Sequence, residues 1–294
     1  MRPKFSDKTY AMNNFENLLV KRAGNVLHVT LNNPSARNAL SHQMVTELRA
    51  TAEQCAQDSG LRCIVLRGAG GNFCAGGNFA DFQQMMSTSL PEDAHSRADP
   101  IAVLNREFGR MLQEWRNVPQ VLIAVVEGAA MGGGVGLAAV ADVTLAEGGA
   151  QFAMPENSLG LPPAQIAPFV ALRIGQTQAR RLMLTAARID AWQAQEVGLV
   201  TEVLEGAAEL EAALQKNLRA FLRNAPRAIA STKAILNRKD DAWLDHVLDF
   251  AAQEFAAALR NGDAAEGVAA FGAKRAAKWV ETEAELRKEQ NQST

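Results

Sequence analysis

Along the first part of the chain, short apolar runs alternate with segments whose apolar residues recur at helical spacing. Asn17–Arg22 and Val26–Leu31 are β-favouring runs joined by Ala23-Gly24-Asn25, a hairpin-like signal. Asn32-Asn33-Pro34-Ser35 is a turn, and Ser41 is placed to cap a helix in which Met44, Val45, Leu48 and Ala52 share a face. Cys63–Leu66 reads as a short buried strand, Ile101–Trp115 as an amphipathic helix, Val121–Val126 as a continuous apolar strand and Val143–Ala146 as another. The polar, proline-containing stretch 87–99 is expected to form a surface loop. From Gly206 onward the pattern becomes helical and charged, with no strand-like run. Repeated strand–turn–helix units indicate an α/β fold with helices packed on sheets. The change of pattern divides the chain into a core over 15–205 and a helical region over 206–294, which covers the core or contacts another subunit.

Composition narrows the partners. The 294 residues are 48% hydrophobic and 21% charged, ample for a real core. A net charge of −2 gives no reason to expect nucleic acid or an anionic membrane as a partner. Cys55, Cys63 and Cys74 are odd in number and lack CxxC spacing, against a disulfide framework or a zinc site. No apolar stretch reaches membrane-spanning length, and the polar start lacks the apolar segment of a secretory signal. A reducing cytoplasm is the expected location.

The candidate chemistry lies in two glycine-rich turns. Gly68-Ala69-Gly70-Gly71-Asn72-Phe73-Cys74-Ala75-Gly76-Gly77-Asn78 follows a strand, and Gly128-Ala129-Ala130-Met131-Gly132-Gly133-Gly134-Val135-Gly136 lies between a strand and a helix. Glycine permits close backbone approach to a ligand, and helix N-terminal N–H groups suit negative charge. Tight turning alone would also account for such clusters. Neither turn satisfies G-x-G-x-x-G or is followed by G-K-[S/T], which disfavours nucleotide binding. No G-x-S-x-G occurs, and His28, His42, His95 and His246 sit in no motif, which disfavours a serine hydrolase.

An ordered set of short motifs then resembles the crotonase superfamily, the enoyl-CoA hydratase/isomerase family. The pieces are Asn33-Pro34 with Arg37-Asn38-Ala39-Leu40, Phe73-Cys74-Ala75-Gly76-Gly77, Gly132-Gly133-Gly134, Ala150-Gln151-Phe152 with Pro155-Glu156 and Gly160-Leu161, Ala194 with Gly198-Leu199-Val200, and Glu266-Gly267-Val268-Ala269-Ala270-Phe271 with Lys274-Arg275. They run in the family's order over roughly residues 15–280. The resemblance implies a crotonase-like spiral of ββα repeats over 15–205 that binds acyl-CoA. It implies a C-terminal trimerisation region over 206–294, giving a homotrimer or a dimer of trimers. It places oxyanion donors on the backbone of Gly77 and Gly133. Around them, Arg37, Ala39, Ala75, Gly76 and Asn78 would hold CoA, with Phe271 and Lys274 reaching toward it. No metal or redox cofactor is implied; coenzyme A is part of the substrate.

Proton transfer at carbon also needs an acid–base group, and a carboxylate in an apolar setting suits this because desolvation raises its pKa. Glu156, in Phe152-Ala153-Met154-Pro155-Glu156-Asn157, matches the second catalytic glutamate of the family's hydratases. The position of the first is Gly136, so the two-carboxylate arrangement is incomplete. Asn78 also stands where the family commonly has aspartate, and Gly77 replaces its usual alanine. Asp81, Glu107, Glu114 and Glu127 could substitute for the lost acid but read better as structural or solvated residues, and Cys74 as a buried small residue rather than a nucleophile. Glu156 alone could serve a 2-enoyl-CoA hydratase, the reading preferred at this point. The alternatives are a Δ3,Δ2-enoyl-CoA isomerase using the one glutamate, a thioester hydrolase, or a degenerate CoA-binding scaffold. Leu161-Pro162-Pro163-Ala164-Gln165-Ile166-Ala167-Pro168-Phe169-Val170 resembles the methylglutaconyl-CoA and isohexenylglutaconyl-CoA hydratase branch, whose substrates carry a second carboxylate and a branched arm.

Overall fold

The computed structural model describes residues 15–87, 99–238, 241–261 and 263–280. Most of the loop expected over 87–99, the polar start and the last residues of the helical region lie outside them. The chain opens with β1 (Leu18–Ala23) and β2 (Val26–Leu31), antiparallel with Ala23 opposite Val26. Gly24 takes φ +60 between them, a left-handed turn conformation that glycine adopts without strain. Helix α1 (His42–Gln57) begins as its sequence expects: the Ser41 side chain accepts from Met44 N at 3.2 Å, and Met44, Val45, Leu48 and Ala52 are buried. Then come β3 (Cys63–Gly68), α2 (Phe79–Ser87), α3 (Pro100–Asn117) and β4 (Val121–Val126). Asp99 caps α3 by accepting from Ile101 N at 2.8 Å.

From β4 the chain shuttles between two sheets. It passes through β5 (Ala129–Met131), α4 (Gly133–Val140), β6 (Val143–Glu147), β7 (Gln151–Ala153) and α5 (Ala167–Leu184), then β8 (Arg188–Asp190), α6 (Ala191–Glu196) and β9 (Glu202–Leu204). The larger sheet has the order β1-β2-β3-β4-β6-β9, parallel throughout except β1–β2. The smaller has the order β5-β7-β8. Strands of the two sheets therefore follow one another in the chain with helices between, the ββα spiral of a crotonase-like α/β fold. Residues 207–280 contribute no strand among the described residues: α7 (Ala207–Leu222), α8 (Pro226–Arg238), α9 (Asp241–Asn261) and α10 (Asp263–Gly272) follow in series.

Burial explains the layering. Side chains alternate across the large sheet, so each strand feeds two cores. One face meets α1, α3, α4 and α5 through residues such as Leu27, Ile64, Leu122 and Val135. The other, with Val65, Ile123, Val125 and Leu145, is covered by Leu210, Leu214 and Leu218 of α7. A third cluster joins Ile101 and Ala102 of α3 and Leu161 to Phe255 and Leu259 of α9 and Ala264 of α10. Buried Arg106 of α3 reinforces it, donating to Asp245 and Asp249 of α9 at 2.7 Å each. The C-terminal helices thus fold back over the end of α3. Among the described residues, no helix is long and apolar enough to cross a membrane.

Candidate active site

The first glycine turn is drawn out between two neighbours. On one side Ala75 N donates to Arg37 O (2.9 Å), Leu40 N to Gly76 O (2.7 Å) and Asn78 N to Leu40 O (3.2 Å). On the other, Cys74 N donates to Ala129 O and Met131 N to Cys74 O, both at 2.9 Å. Leu40 and Gly77 form a parallel bridge. In such a bridge the carbonyl of residue 76 and the N–H of residue 78 face Leu40, so the Gly77 N–H faces away, toward the side of β5. Buried Asn38 braces the turn, donating to Ala69 O (2.9 Å) and Asn72 O (2.8 Å) while accepting from Asn33 N (2.9 Å). Asn38 and Arg37 both sit at positive φ, which swings the 37–40 segment against the turn.

The second turn meets the first at Gly132. Its φ +48 and ψ −114 belong to glycine alone, and a Cβ there would stand 3.8 Å from Gly76 Cα. Gly133 is the first residue of α4, whose ladder begins with Gly136 N to Gly132 O at 3.2 Å. The Gly133 N–H precedes that ladder and is one of the orphan donors of a helix start. Among the described residues, neither Gly77 N–H nor Gly133 N–H has an acceptor. Two such donors on one wall suit developing negative charge on an oxygen.

Glu156 arrives from behind this junction. It opens a 3₁₀ turn, Glu156–Leu159, closed by Gly160 at φ +70, and Leu161 N returns to Glu156 O at 3.1 Å. Its Oε1 lies 2.6 Å from where a Cβ on Gly132 would stand. Oε2 is buried without a partner among the described residues. Burial lifts the carboxyl from 4.5 to about 7, opposed only by a hydrogen bond from its own backbone N–H. Near neutrality the group therefore exists in both protonation states, as an acid–base residue requires.

Residue 136, where the resemblance expects a first glutamate, is closed as well as lacking a carboxylate. Gly136 is buried, and a Cβ there would meet Ile166 Cγ2 at 2.6 Å and Leu112 Cδ1 at 3.2 Å. Ile166 belongs to the 161–170 loop, so this loop has packed into the space that a longer side chain would need.

Gly77, Asn78, Gly133 and Glu156 line one cavity of about 120 Å³. Its other walls are largely apolar, including Leu40, Leu104, Phe108, Pro162, Ile166 and Phe255. Asn105 and Gln165 add an oriented amide pair. The Leu248 carbonyl can only accept, so the Gln165 atom facing it at 2.9 Å is Nε2. The same Nε2 donates to Asn105 Oδ1 at 2.9 Å, leaving Asn105 Nδ2 without an acceptor among the described residues. Of the other expected residues, Ala39, Ala75 and Gly76 lie in or beside the strand-like frame that carries Gly77, Arg37 is exposed, and none of the four lines the cavity. Asn78 Oδ1 caps α2, accepting from Ala80 N at 2.9 Å, a role that either aspartate or asparagine fills. Phe271, 63% exposed, and Lys274 lie at the end of α10 and do not line the cavity.

Of the substitute acids, Asp81 does line the cavity, and its Oδ2 accepts from His42 N at 3.0 Å. Glu107 and Glu114 are both ion-paired with Arg49. Cys74 is fully buried with its thiol pushed up to about 12, which suits packing rather than nucleophilic attack. Sequence reasoning missed Asn105, Phe108 and Phe255. The first two fall within the amphipathic pattern of α3; only the fold separates them from its core-facing residues. Among the described residues, no group of three or more His, Cys, Asp and Glu is placed to hold a metal ion.

Comparison with known proteins agrees with the fold. The family described as enoyl-CoA hydratase/isomerase matches residues 21–282. The 2,3-dehydroadipyl-CoA hydratase of Escherichia coli (strain K12) is 32% identical over 259 residues, covering 88% of this chain and 96% of its own. Among solved structures, an enoyl-CoA hydratase/isomerase from Marinobacter aquaeolei is 47% identical with a TM-score of 0.73, covering 90% of this chain and 100% of its own. Pseudomonas aeruginosa AtuE is 46% identical with a TM-score of 0.72, at the same coverage of 90% and 100%.

Proposed function

The chain belongs to the enoyl-CoA hydratase/isomerase family, and from that premise we propose that it adds water to a 2-enoyl-CoA with Glu156 as its one acid–base carboxylate. The observation that carries the reading is the meeting of three groups on one cavity wall: the acceptor-free N–H groups of Gly77 and Gly133, and the buried Glu156 carboxyl beside Gly132. The thioester carbonyl oxygen accepts from both N–H groups, which stabilise the charge that builds up as C3 is attacked; each donor of this kind contributes about 3–4 kcal/mol. Glu156, ionised, takes a proton from water as the hydroxyl bonds to C3. The enolate then takes that proton from Glu156 at C2, giving a 3-hydroxyacyl-CoA and the carboxylate again. One water supplies both additions, so one carboxylate suffices for the proton count.

The frame of Arg37, Ala39, Ala75, Gly76 and Asn78 holds the CoA arm in this reading. Phe271 and Lys274 act only on its outer part, since they lie off the cavity wall. The place of Pro162, Pro163 and Ile166 on that wall supports a branched acyl group, and the spare donor of Asn105 suits a distal carboxylate. Exposed Ile235, Leu236 and Phe250 support assembly through the helical region 206–294 as a homotrimer or a dimer of trimers, measurable by light scattering.

A second reading has its own observation. With Gly136 walled by Ile166 and Leu112, a single carboxylate could instead move one proton between C2 and C4, the isomerase reaction. Mass spectrometry after incubation with crotonyl-, 3-enoyl- and 3-methylglutaconyl-CoA separates the alternatives. Gain of one water supports the proposal. A double bond moved at constant mass would replace it with isomerase, release of free CoA with thioester hydrolysis, and binding of every thioester without turnover with a scaffold.

A further inference from the structure

No side chain among the described residues hydrogen-bonds the Glu156 carboxyl: Oε2 is orphaned, and the bond that opposes its raised pKa comes from its own backbone. The main chain of the Glu156–Leu159 turn must therefore fix where this carboxyl sits. That turn is held on two sides. On one, Glu156 Oε1 approaches Gly132 so closely that a Cβ there would stand 2.6 Å away. On the other lies α10. A Cβ on Gly267 would stand 2.2 Å from Leu159 O, 2.3 Å from Leu159 C and 2.7 Å from Leu159 Cα. The contact is reciprocal: a Cβ on Gly160 would stand 2.5 Å from Asp263 C and 2.8 Å from Ala264 N. All these neighbours are backbone atoms, so no side-chain rotation relieves an added methyl; one element must move. Buried Leu161 and Ala264 seal the same contact from the side. Glu266, in the first turn of α10, ties the helix to the segment that follows it: Arg275 Nη1 donates to Glu266 Oε1 at 2.6 Å and Lys278 N to the same atom at 2.9 Å.

We propose that α10 is the positioning element for Glu156, with Gly267 its positioning residue, seating the Glu156–Leu159 turn against the second glycine turn by direct backbone contact. This rests on Glu156 being the acid–base group. No residue of α10 itself lines the cavity; the helix sets the distance between the carboxyl and the two N–H donors. A close glycine contact alone would give stability without affecting catalysis, and the test must separate the two roles.

The test compares Gly267→Ala with Ala269→Gly in the full chain. Ala269 is exposed on α10, so its replacement loosens the helix without adding atoms at the contact. Turnover of crotonyl-CoA is followed from about pH 5 to 9. Gly267→Ala is expected to lower kcat by at least ~10-fold with KM held within about twofold, because misplacement of a reacting group acts on the chemical step. Its kcat profile is also expected to shift along the pH axis. Ala269→Gly is expected to lower the melting temperature and leave that profile in place. An unshifted profile with unchanged kcat in Gly267→Ala, or the same shift in both variants, would overturn the proposal. Should Gly267→Ala not fold, hydrogen exchange in the unaltered chain decides. Saturation with crotonyl-CoA and its product should slow amides of 156–161 and of 263–272 together, and protection of the first set alone would overturn the proposal. Full turnover by Glu156→Gln would instead remove the acid–base reading while leaving the exchange coupling intact, so the two failures are distinguishable.

Discussion

Replacing Glu156 by glutamine removes a carboxyl whose charge the fold resists. Burial raises its pKa from 4.5 to about 7. The unfolded chain gives up this proton near the ordinary carboxylate value, whereas the folded chain keeps it to about pH 7. Between those values the folded state binds more protons, so its stability falls as pH rises. At about 1.4 kcal/mol per pH unit, the loss approaches about 3 kcal/mol once both states are ionised. This is an upper figure, because the residue as a whole is only half-buried and water screens part of the penalty. Glutamine has no such titration. Its amide would meet the same partnerless pocket as Oε2, a pH-independent cost of about 1–3 kcal/mol. The expected signature is therefore in the slope: the variant gains on the native chain by about 2–3 kcal/mol between roughly pH 4.5 and 8, whatever the offset. Urea unfolding of both proteins across that range measures it. Parallel stability curves would refute the reasoning, since they would mean that the carboxyl is as well solvated folded as unfolded.

Gly136→Glu, which restores the family's first carboxylate, should lower stability by at least about 2 kcal/mol through overpacking, because its Cβ meets Ile166 and Leu112. It should not raise hydration turnover; thermal melts with parallel rates check both, and a faster, equally stable variant would contradict the packing. Iodoacetamide at about pH 8 should modify none of Cys55, Cys63 and Cys74 in the folded protein, since all three are buried and the Cys63 and Cys74 thiols are raised to about 11 and about 12. Intact-mass measurement before and after unfolding in urea reads this directly.

The legible part of the molecule is the part written in local pattern. β2, β4, the cap and face of α1, and the lack of strands after Gly206 among the described residues follow from periodicity and turn chemistry. The three-residue strands β5, β7, β8 and β9 do not, because three residues cannot display a period; tertiary pairing makes them strands. In the site, local pattern marks only two glycine-rich turns and an apolar-flanked carboxyl; the assignment of Gly77, Gly133 and Glu156 comes from the resemblance that those motifs carry. Phe255 could not be tied to them, as it stands 99 residues beyond Glu156 on a helix placed by Arg106 and its two aspartates. Gly136 shows the same limit. Its sequence reveals a missing acid, while only the fold reveals Ile166 in the space. Phe271 and Lys274, carried over from a motif at the end of α10, lie outside the cavity lining.

In the proposed reaction Glu156 alone carries the proton, and the oxyanion donors are backbone groups. Its most direct test is the rate of water addition to crotonyl-CoA by Glu156→Gln, measured beside the dissociation constant for the same thioester. The expected result is a fall in kcat of about 10²–10⁴-fold, with binding kept within about twofold because Gly77, Gly133 and the CoA frame are untouched. Hydration by the variant at the native rate would contradict it.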